Sequence, residues 1–436
     1  MLRRVVITGQ GLVSPLGNSS AQLWDALIGG RSGVGPLVSV ATDALPTRFG
    51  AEARDFTGSI EDFGPLEKTF ARTIKKSLKM MCREIQMGVA VAQLAMADAR
   101  LDLSQVDLDR IGVLYGSDHM LTLPQEFTVG IRNCLDAEGK FHLSRWAEAG
   151  LPAVEPLWLL KYLPNLPAAH IAIFNNLHGP NNSLTLREAS SNQAIAEAYC
   201  TIERGHADLM IAGATGTRVH PGRTLHVVLQ EQIAKDASDP ATMCRPFDKN
   251  RTGQVIGEGA AAIILEELAH AEKRGAHIFG EMVGFGSSSV SSLRGGGNSY
   301  QASRNALSQA LRTSRLTPDG VGHFNAHGLA TVRCDQEEAR AIHDMFRERA
   351  KPLPVVACKS YFGNLGAGSG VVELIASVLA LNHGRLFRTL NYETPDPECP
   401  IHVVSRDDET PGDSFISLNL APQGPASAVV VRKFAA

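Results

Sequence analysis

Short β-branched runs alternate along this chain with stretches whose apolar positions recur at helical spacing. RVVITG at 4–9, RIGVLYGS at 110–117, SLTLRE at 183–188, ADLMIAG at 207–213 and AAAIILEEL at 260–268 read as strands. Helices are expected around Ile85–Ala99 and Ser191–Arg204. The order then begins again after the charged stretch LAHAEKRGAH at 268–277. FGEMVGFG, VGHFNAHG, PLPVVACKS, FISLNL and SAVVVRKF read as strands, with helices around Ser303–Ser314 and Gly370–Leu381. This is an α/β pattern in two similar halves, 1–267 and 276–436, with the seam at the charged stretch. LTLREASSNQAIAEAY and PVVACKSYFGNLGAGSGVVELIASVLA are both strand, small-residue turn and apolar helix. Glu188 and Asn364 stand at similar points in the two halves, and a duplicated fold would bring their turns together.

Composition narrows the function classes. The chain has 436 residues, 44% of them hydrophobic, enough for a large core, and a net charge of -3 gives no overall basic field for nucleic acid. Seven cysteines, scattered and never spaced as CxxC, argue against a disulfide framework or structural zinc site, and so for a reducing compartment. The basic start MLRRVVITGQGLVSPLG is broken by Gly9 and Gly11 before a signal-peptide core forms, and no window approaches the ~18 apolar residues of a membrane span. A soluble, cytoplasmic chain without a membrane partner is expected. GQGLVSPLG lacks the GxGxxG spacing of a dinucleotide loop, and neither a cofactor nor a metal is expected.

Four segments carry a family resemblance. RRVVITGQGLVSPLGN at 3–18, RPFDKNRTGQVIGEGAA at 245–261, FNAHGLATVRCDQEEARAI at 324–342 and KSYFGNLGAGSGVVE at 359–373 resemble, in order, the β-ketoacyl-[acyl carrier protein] synthases. The resemblance implies a thiolase-like fold, two duplicated βαβαβ halves packed as five layers, α-β-α-β-α. It also implies a dimer and a Cys-His-His site for decarboxylative condensation of acyl thioesters. Laid on this chain, that site reads Glu188 at the cysteine, His327 at the first histidine and Asn364 at the second, with Lys359 and Glu373 at the supporting Lys and Glu. The gate-loop position falls on Pro422, Gln423, Gly424 and Pro425, where two prolines fix φ in place of glycines.

Glu188 cannot carry an acyl group as a thiolate does, because an anhydride is far more labile than a thioester. Asn364 cannot move a proton near neutral pH. A Glu188–His327 pair filling the vacated site is expected. Ser190 is an alternative nucleophile if the elbow is slid by two residues; it also reads as a helix N-cap, with Gln193 completing a capping box and Gly205 ending the helix.

Arg72, Lys75, Lys76, Lys79 and Arg83 fall at helical offsets and form a basic stripe, which the resemblance assigns to docking an acidic acyl carrier protein. The segment 118–161, with Phe127, Phe141 and Trp146, is the least family-like and is expected at the pocket or a partner interface. Three readings of function follow: a non-condensing, chain-length-factor-like subunit paired with a cysteine-containing synthase; a residual malonyl decarboxylase or Ser190 acyltransferase; or an acyl- or carrier-protein-binding module. The subunit reading is preferred, and a self-dimer is the alternative assembly.

Overall fold

A computed structural model describes residues 3–43, 45–291 and 296–435. Its main sheet has eleven strands: β1 (Val5–Val13), β2 (Ile111–Ser117), β3 (Asn181–Thr185), β4 (Leu209–Thr217), β5 (Glu258–Glu267), β6 (Gly280–Ser289), β7 (His323–Asn325), β8 (Pro354–Val356), β9 (His402–Val403), β10 (Ser414–Leu420) and β11 (Pro425–Arg432). They lie in the order β9-β8-β7-β10-β11-β6-β1-β5-β4-β2-β3.

The register exposes a repeat. β1 runs antiparallel to β5 and β5 to β4, after which β4, β2 and β3 are parallel. β6 runs antiparallel to β11 and β11 to β10, after which β10, β7 and β8 are parallel. The two runs join where Val5–Ile7 of β1 pairs antiparallel with Gly280–Met282 of β6.

The helices that bear on the site are α1 (Ser20–Ile28), α2 (Lys68–Ser77), α3 (Arg83–Asp98), α4 (Ser190–Glu203), α5 (Pro221–Gln230), α6 (Ser299–Ser314), α7 (Val332–Phe346) and α8 (Ser369–His383). α8 is apolar all round and buried from Ser369 to Leu381, as a helix enclosed by other elements must be. It and α4 share one core with residues of β1, β4, β5 and β11. The two helices meet at Gly370, where a Cβ would collide with Ser191 Oγ and Asn419 Oδ1. α3 packs on the first half of the sheet in a second core, and α6 and α7 on the second half in a third.

Among the described residues no helix is long and apolar enough to cross a membrane. All seven cysteines are free.

The expected strands and helices are present with modest changes of boundary. One change matters: β3 stops at Thr185, and Arg187–Ala189 form a 3-10 turn before α4. Glu188 therefore sits in the turn itself.

Candidate functional site

The elbow is made by Arg187, whose φ of 55° is left-handed and reverses the chain between β3 and α4. This strained residue delivers Glu188, 1% exposed, to the head of a central helix. Ser190 is helical, with φ -66° and ψ -30°, so it is the first residue of α4 and not the expected N-cap. Its hydroxyl donates backwards, to Arg187 O at 2.5 Å and Ser117 O at 3.1 Å. The capping box with Gln193 does not form, because the preceding 3-10 turn already occupies the cap position. The Ser190 oxygen is tied to backbone carbonyls and has no basic partner. Gly205, with φ 80°, follows the helix as expected.

Glu188 does not pair with His327 as expected. Its Oε1 accepts hydrogen bonds from Arg218 Nη2 and, at 3.0 Å, from Asn364 Nδ2. Arg187 Nε lies 3.5 Å from Oε2. The physical reason is charge: a fully buried carboxylate needs a cation, and the neighbouring histidine is held neutral. Burial pushes Glu188 upward in pKa, but Arg218 and Arg187 outweigh it and hold the carboxyl at about 2.

Further charges surround the pair. Arg223 Nη1 donates to Asp118 Oδ2 at 2.6 Å, and Arg218 Nη2 lies 3.9 Å from the same oxygen. Arg187 donates to Glu231 at 2.5 Å, Gln254 Nε2 donates to Glu231 at 2.6 Å, and Asn364 Nδ2 also donates to Gln254 Oε1 at 2.8 Å. Three carboxylates, Asp118, Glu188 and Glu231, thus meet three guanidiniums, those of Arg187, Arg218 and Arg223. The cluster is neutral overall and fills the space around the elbow with paired charge.

Sequence reasoning missed Arg218, Arg223, Arg187, Asp118 and Glu231. Arg218 and Arg223 lie in TGTRVHPGR, at the end of β4 and the start of α5, where arginine ordinarily points to water. The signal that could have found them is Glu188 itself, since a buried acid demands a counter-ion.

In the second half Lys359 and Glu373 stand beside His327. Lys359 Nζ donates to Glu373 Oε1 at 2.5 Å and to His327 O at 2.8 Å, and lies 3.3 Å from His327 Nδ1. Asn419 Nδ2 donates to Glu373 Oε2 at 2.8 Å. Glu338 accepts the backbone N–H groups of His327 and Gly328 at 2.7 and 2.9 Å. Burial, reinforced by Lys359, depresses the His327 pKa well below the usual histidine value, so its imidazole is neutral. Among the described residues nothing bonds His327 Nε2, and the ring lines a cavity of about 310 Å³ with Gln254, Thr331, Cys334 and Leu420. Asn364 stands close by, but both of its amide hydrogens are already used, on Glu188 and Gln254.

The turn at Pro422–Pro425 closes the β10–β11 hairpin. Ala421 N donates to Pro425 O at 2.8 Å, and Val290 N to Gly424 O at 3.1 Å. The expected basic stripe is shorter than the spacing predicts. Arg72, Lys75, Lys76 and Lys79 are exposed, but the helix stops at Ser77 and Arg83 turns inward to Glu258 at 2.7 Å. Glu258 is buried and takes Arg83 as its counter-ion. In the segment 118–161, Phe127 packs edge-on against Trp158 at 4.9 Å and Trp146 at 6.4 Å, while Asp118 joins the elbow cluster. The same segment leaves Val129, Ile131, Phe141, Leu143, Leu151 and Leu157 exposed.

Residues 2–271 match the family description "Beta-ketoacyl synthase, N-terminal domain", and residues 279–393 match "Beta-ketoacyl synthase, C-terminal domain". The chain belongs to the β-ketoacyl synthase family. Within that family it is similar to 3-oxoacyl-[acyl-carrier-protein] synthase 2 of Synechocystis sp., 32% identical over 92% of this chain and 91% of the relative. It is also similar to the protein of that name from Staphylococcus aureus, 30% identical over 99% and 98%.

Among solved structures, a β-ketoacyl synthase from Burkholderia phymatum superposes with a TM-score of 0.83 and 27% identity, over 99% of this chain and 100% of that one. The ishigamide ketosynthase/chain length factor gives 0.84 at 24% identity, with both chains fully covered. A type II PKS ketosynthase solved with its acyl-carrier protein gives 0.85 at 23%, again with full coverage. The last two, given their low identity, speak for the fold. The thiolase-like architecture expected of a β-ketoacyl synthase is thus the one this chain adopts.

Proposed function

We propose that this β-ketoacyl synthase-family chain is a non-condensing subunit, similar in role to a chain-length factor, that works beside a cysteine-bearing synthase and an acyl carrier protein in fatty-acid or polyketide assembly. One observation carries the reading: the elbow that would hold the nucleophile holds Glu188, ionised, buried and locked to Arg218. A carboxylate held ionised against Arg218 is a poor nucleophile toward a thioester, and the anhydride it would form is far more labile than the thioester it would replace. Ser190 does not replace Glu188, because its hydroxyl is bonded to carbonyl oxygens and to no basic side chain among the described residues.

The decarboxylase reading is weaker on the same geometry. Stabilising an enolate oxygen needs more than one donor aimed at it. Neutral His327 supplies one, but the Asn364 amide is fully engaged elsewhere.

Two surfaces support a partnership. β3 ends the sheet with its outer edge unpaired among the described residues, and exposed apolar side chains of the 118–161 segment, with Leu186, Leu225 and Leu229 beyond it, belong to the same half. A second subunit, either a synthase or another copy of this chain, would cover them. The exposed Arg72, Lys75, Lys76 and Lys79 suit an acidic carrier protein.

The test is co-expression of the chain with a cysteine-containing ketosynthase and carrier protein. Co-elution with the synthase, and product only when both chains are present, supports the reading. Condensation product from this chain alone overturns it.

A further inference from the structure

A buried chain of hydrogen bonds crosses from the head of α4 to the imidazole of His327. Ser191 belongs to the first half of the molecule, Asn419, Glu373, Lys359 and His327 to the second, and none of the five is more than 1% exposed. Ser191 Oγ has one hydrogen to give and lies 3.3 Å from Asn419 Oδ1 and 3.3 Å from Glu188 O, the main chain of the elbow. Asn419, near the end of β10, donates through Nδ2 to Glu373 Oε2 at 2.8 Å, and Glu373 Oε1 accepts from Lys359 Nζ at 2.5 Å. The partners decide which way the Asn419 amide faces. Glu373, ion-paired through Oε1, offers only an acceptor, so Nδ2 turns to it and Oδ1 turns to the Ser191 hydroxyl. Asn192 ties the same two elements together, its Nδ2 donating to Ser417 O at 3.0 Å. Gly370 leaves the room this bridge needs, since a Cβ there would collide with both Ser191 Oγ and Asn419 Oδ1.

The far end of the chain fixes a proton. An ammonium has three donors and no acceptor. Lys359 spends its three on Glu373 Oε1, on His327 O at 2.8 Å and on His327 Nδ1, 3.3 Å away. Leu420, next to Asn419, points its backbone N–H at the same Nδ1 from 3.4 Å. Two groups that can only donate converge on Nδ1, which is therefore the acceptor of the ring. Burial, reinforced by Lys359, keeps the imidazole neutral. Its one proton then sits on Nε2, the unbonded nitrogen of a ring that lines the cavity of about 310 Å³.

We propose that Asn419, held by Ser191, is a positioning residue: by fixing Glu373 and the end of β10 it sets Lys359 and the Leu420 N–H against His327 Nδ1, and so holds the imidazole as its Nε2–H tautomer. The cavity then meets a hydrogen-bond donor at His327 and no base. The head of α4 and the histidine are coupled through side chains that reach neither the cavity nor the solvent. The inference concerns the state of His327 and holds whichever partner the chain takes.

The test is a nitrogen–proton correlation spectrum of the imidazoles in the full chain carrying isotope-labelled histidine, with His327→Gln identifying the His327 signals by their loss. The parent should show the Nε2–H tautomer alone. Asn419→Leu, of similar volume, removes both bonds of the amide, and signals of both tautomers should appear. Ser191→Ala removes only the hydroxyl and should move the His327 signals in the same direction by less. Thermal melts record stability separately. Lower stability with the His327 signals unmoved is what a merely structural role gives, and it would overturn the proposal, as would an Nδ1–H tautomer in the parent. Should Asn419→Leu not fold, Ser191→Ala decides alone: moved signals support the coupling and unmoved signals overturn it. No part of this measurement depends on whether the chain condenses acyl groups.

Discussion

The two central helices, α4 and α8, start from equivalent turns, and their heads are built differently. At the head of α8, Lys359 and Glu373 form one buried ion pair that also holds the main chain of His327, and the histidine keeps a free nitrogen toward a cavity. At the head of α4, a carboxylate has required a rebuilt surrounding: Arg187 from the turn, Arg218 after β4, Arg223 from α5 and Asp118 after β2. Placing an acid in this elbow is therefore not a local matter. It needs cations of matching burial, and those cations bring carboxylates of their own. The rebuilt head also reaches into the other, since Asn364 spends both N–H groups on Glu188 and Gln254.

The comparison breaks hardest at Arg218. Arg218→Ala leaves Glu188 buried and uncompensated, and should cost about 3–5 kcal/mol of unfolding free energy, read from urea denaturation. Adding Glu188→Leu should recover much of that loss. A single variant as stable as the parent would show that the pair does not organise the elbow.

The pH dependence sharpens the same contrast. Burial raises Glu84 to about 7, with Arg223 opposing, and burial raises Glu338 to about 8. The folded state keeps protons on these groups that the unfolded chain releases near 4.5. Their contribution is therefore complete below about pH 4.5 and is lost as pH rises through 7 and 8, by up to about 1.4 kcal/mol per pH unit per group. Glu188 has the opposite sign: depressed to about 2, it stabilises above the usual carboxylate range and loses that contribution as pH falls toward 2. Below about pH 6.5 the depressed histidines, His327, His323 and His220, work in the opposite sense, so the clean window is above it: urea midpoints should fall from about pH 6.5 to 8, and Glu84→Gln should flatten the first part of that fall. A midpoint rising from about pH 6.5 to 8 would contradict these shifts.

The smallest expected effect on stability is at α2. Lys75→Glu with Lys76→Glu changes only exposed side chains and should move stability by less than about 0.5 kcal/mol. Association with an acyl carrier protein should slow, most clearly at low salt, as surface resonance kinetics would show. Unchanged association would remove this face from the docking surface.

Much of the fold was legible because periodicity reports burial directly. β4, β5 and α8 are apolar over nearly their whole length, so their places in the sheet and core follow from the pattern. The positions of Glu188, His327, Asn364, Lys359 and Glu373 were legible through motif order. Their partners were not. Arg218 and Arg223 resemble surface arginines in the sequence, and only their ion pairs with Glu188 and Asp118 show that they are inside. Arg83 was misassigned for a related reason: helical spacing continues through KSLKMMC, while the backbone turns extended at Met81 and Cys82 and swings Arg83 toward Glu258. Ser190 was misassigned because a capping pattern does not reveal that a 3-10 turn precedes it. In each case the local signal was present and a long-range charge or backbone contact decided the outcome.

The central claim, that the elbow of this chain cannot carry an acyl group, is tested most directly by intact-protein mass spectrometry after incubation with acyl- and malonyl-loaded carrier protein. The account predicts an unchanged mass, alone and in the presence of a cysteine-bearing synthase that becomes acylated in the same tube. A stoichiometric acyl adduct on this chain, mapped to Glu188 or Ser190, would contradict it.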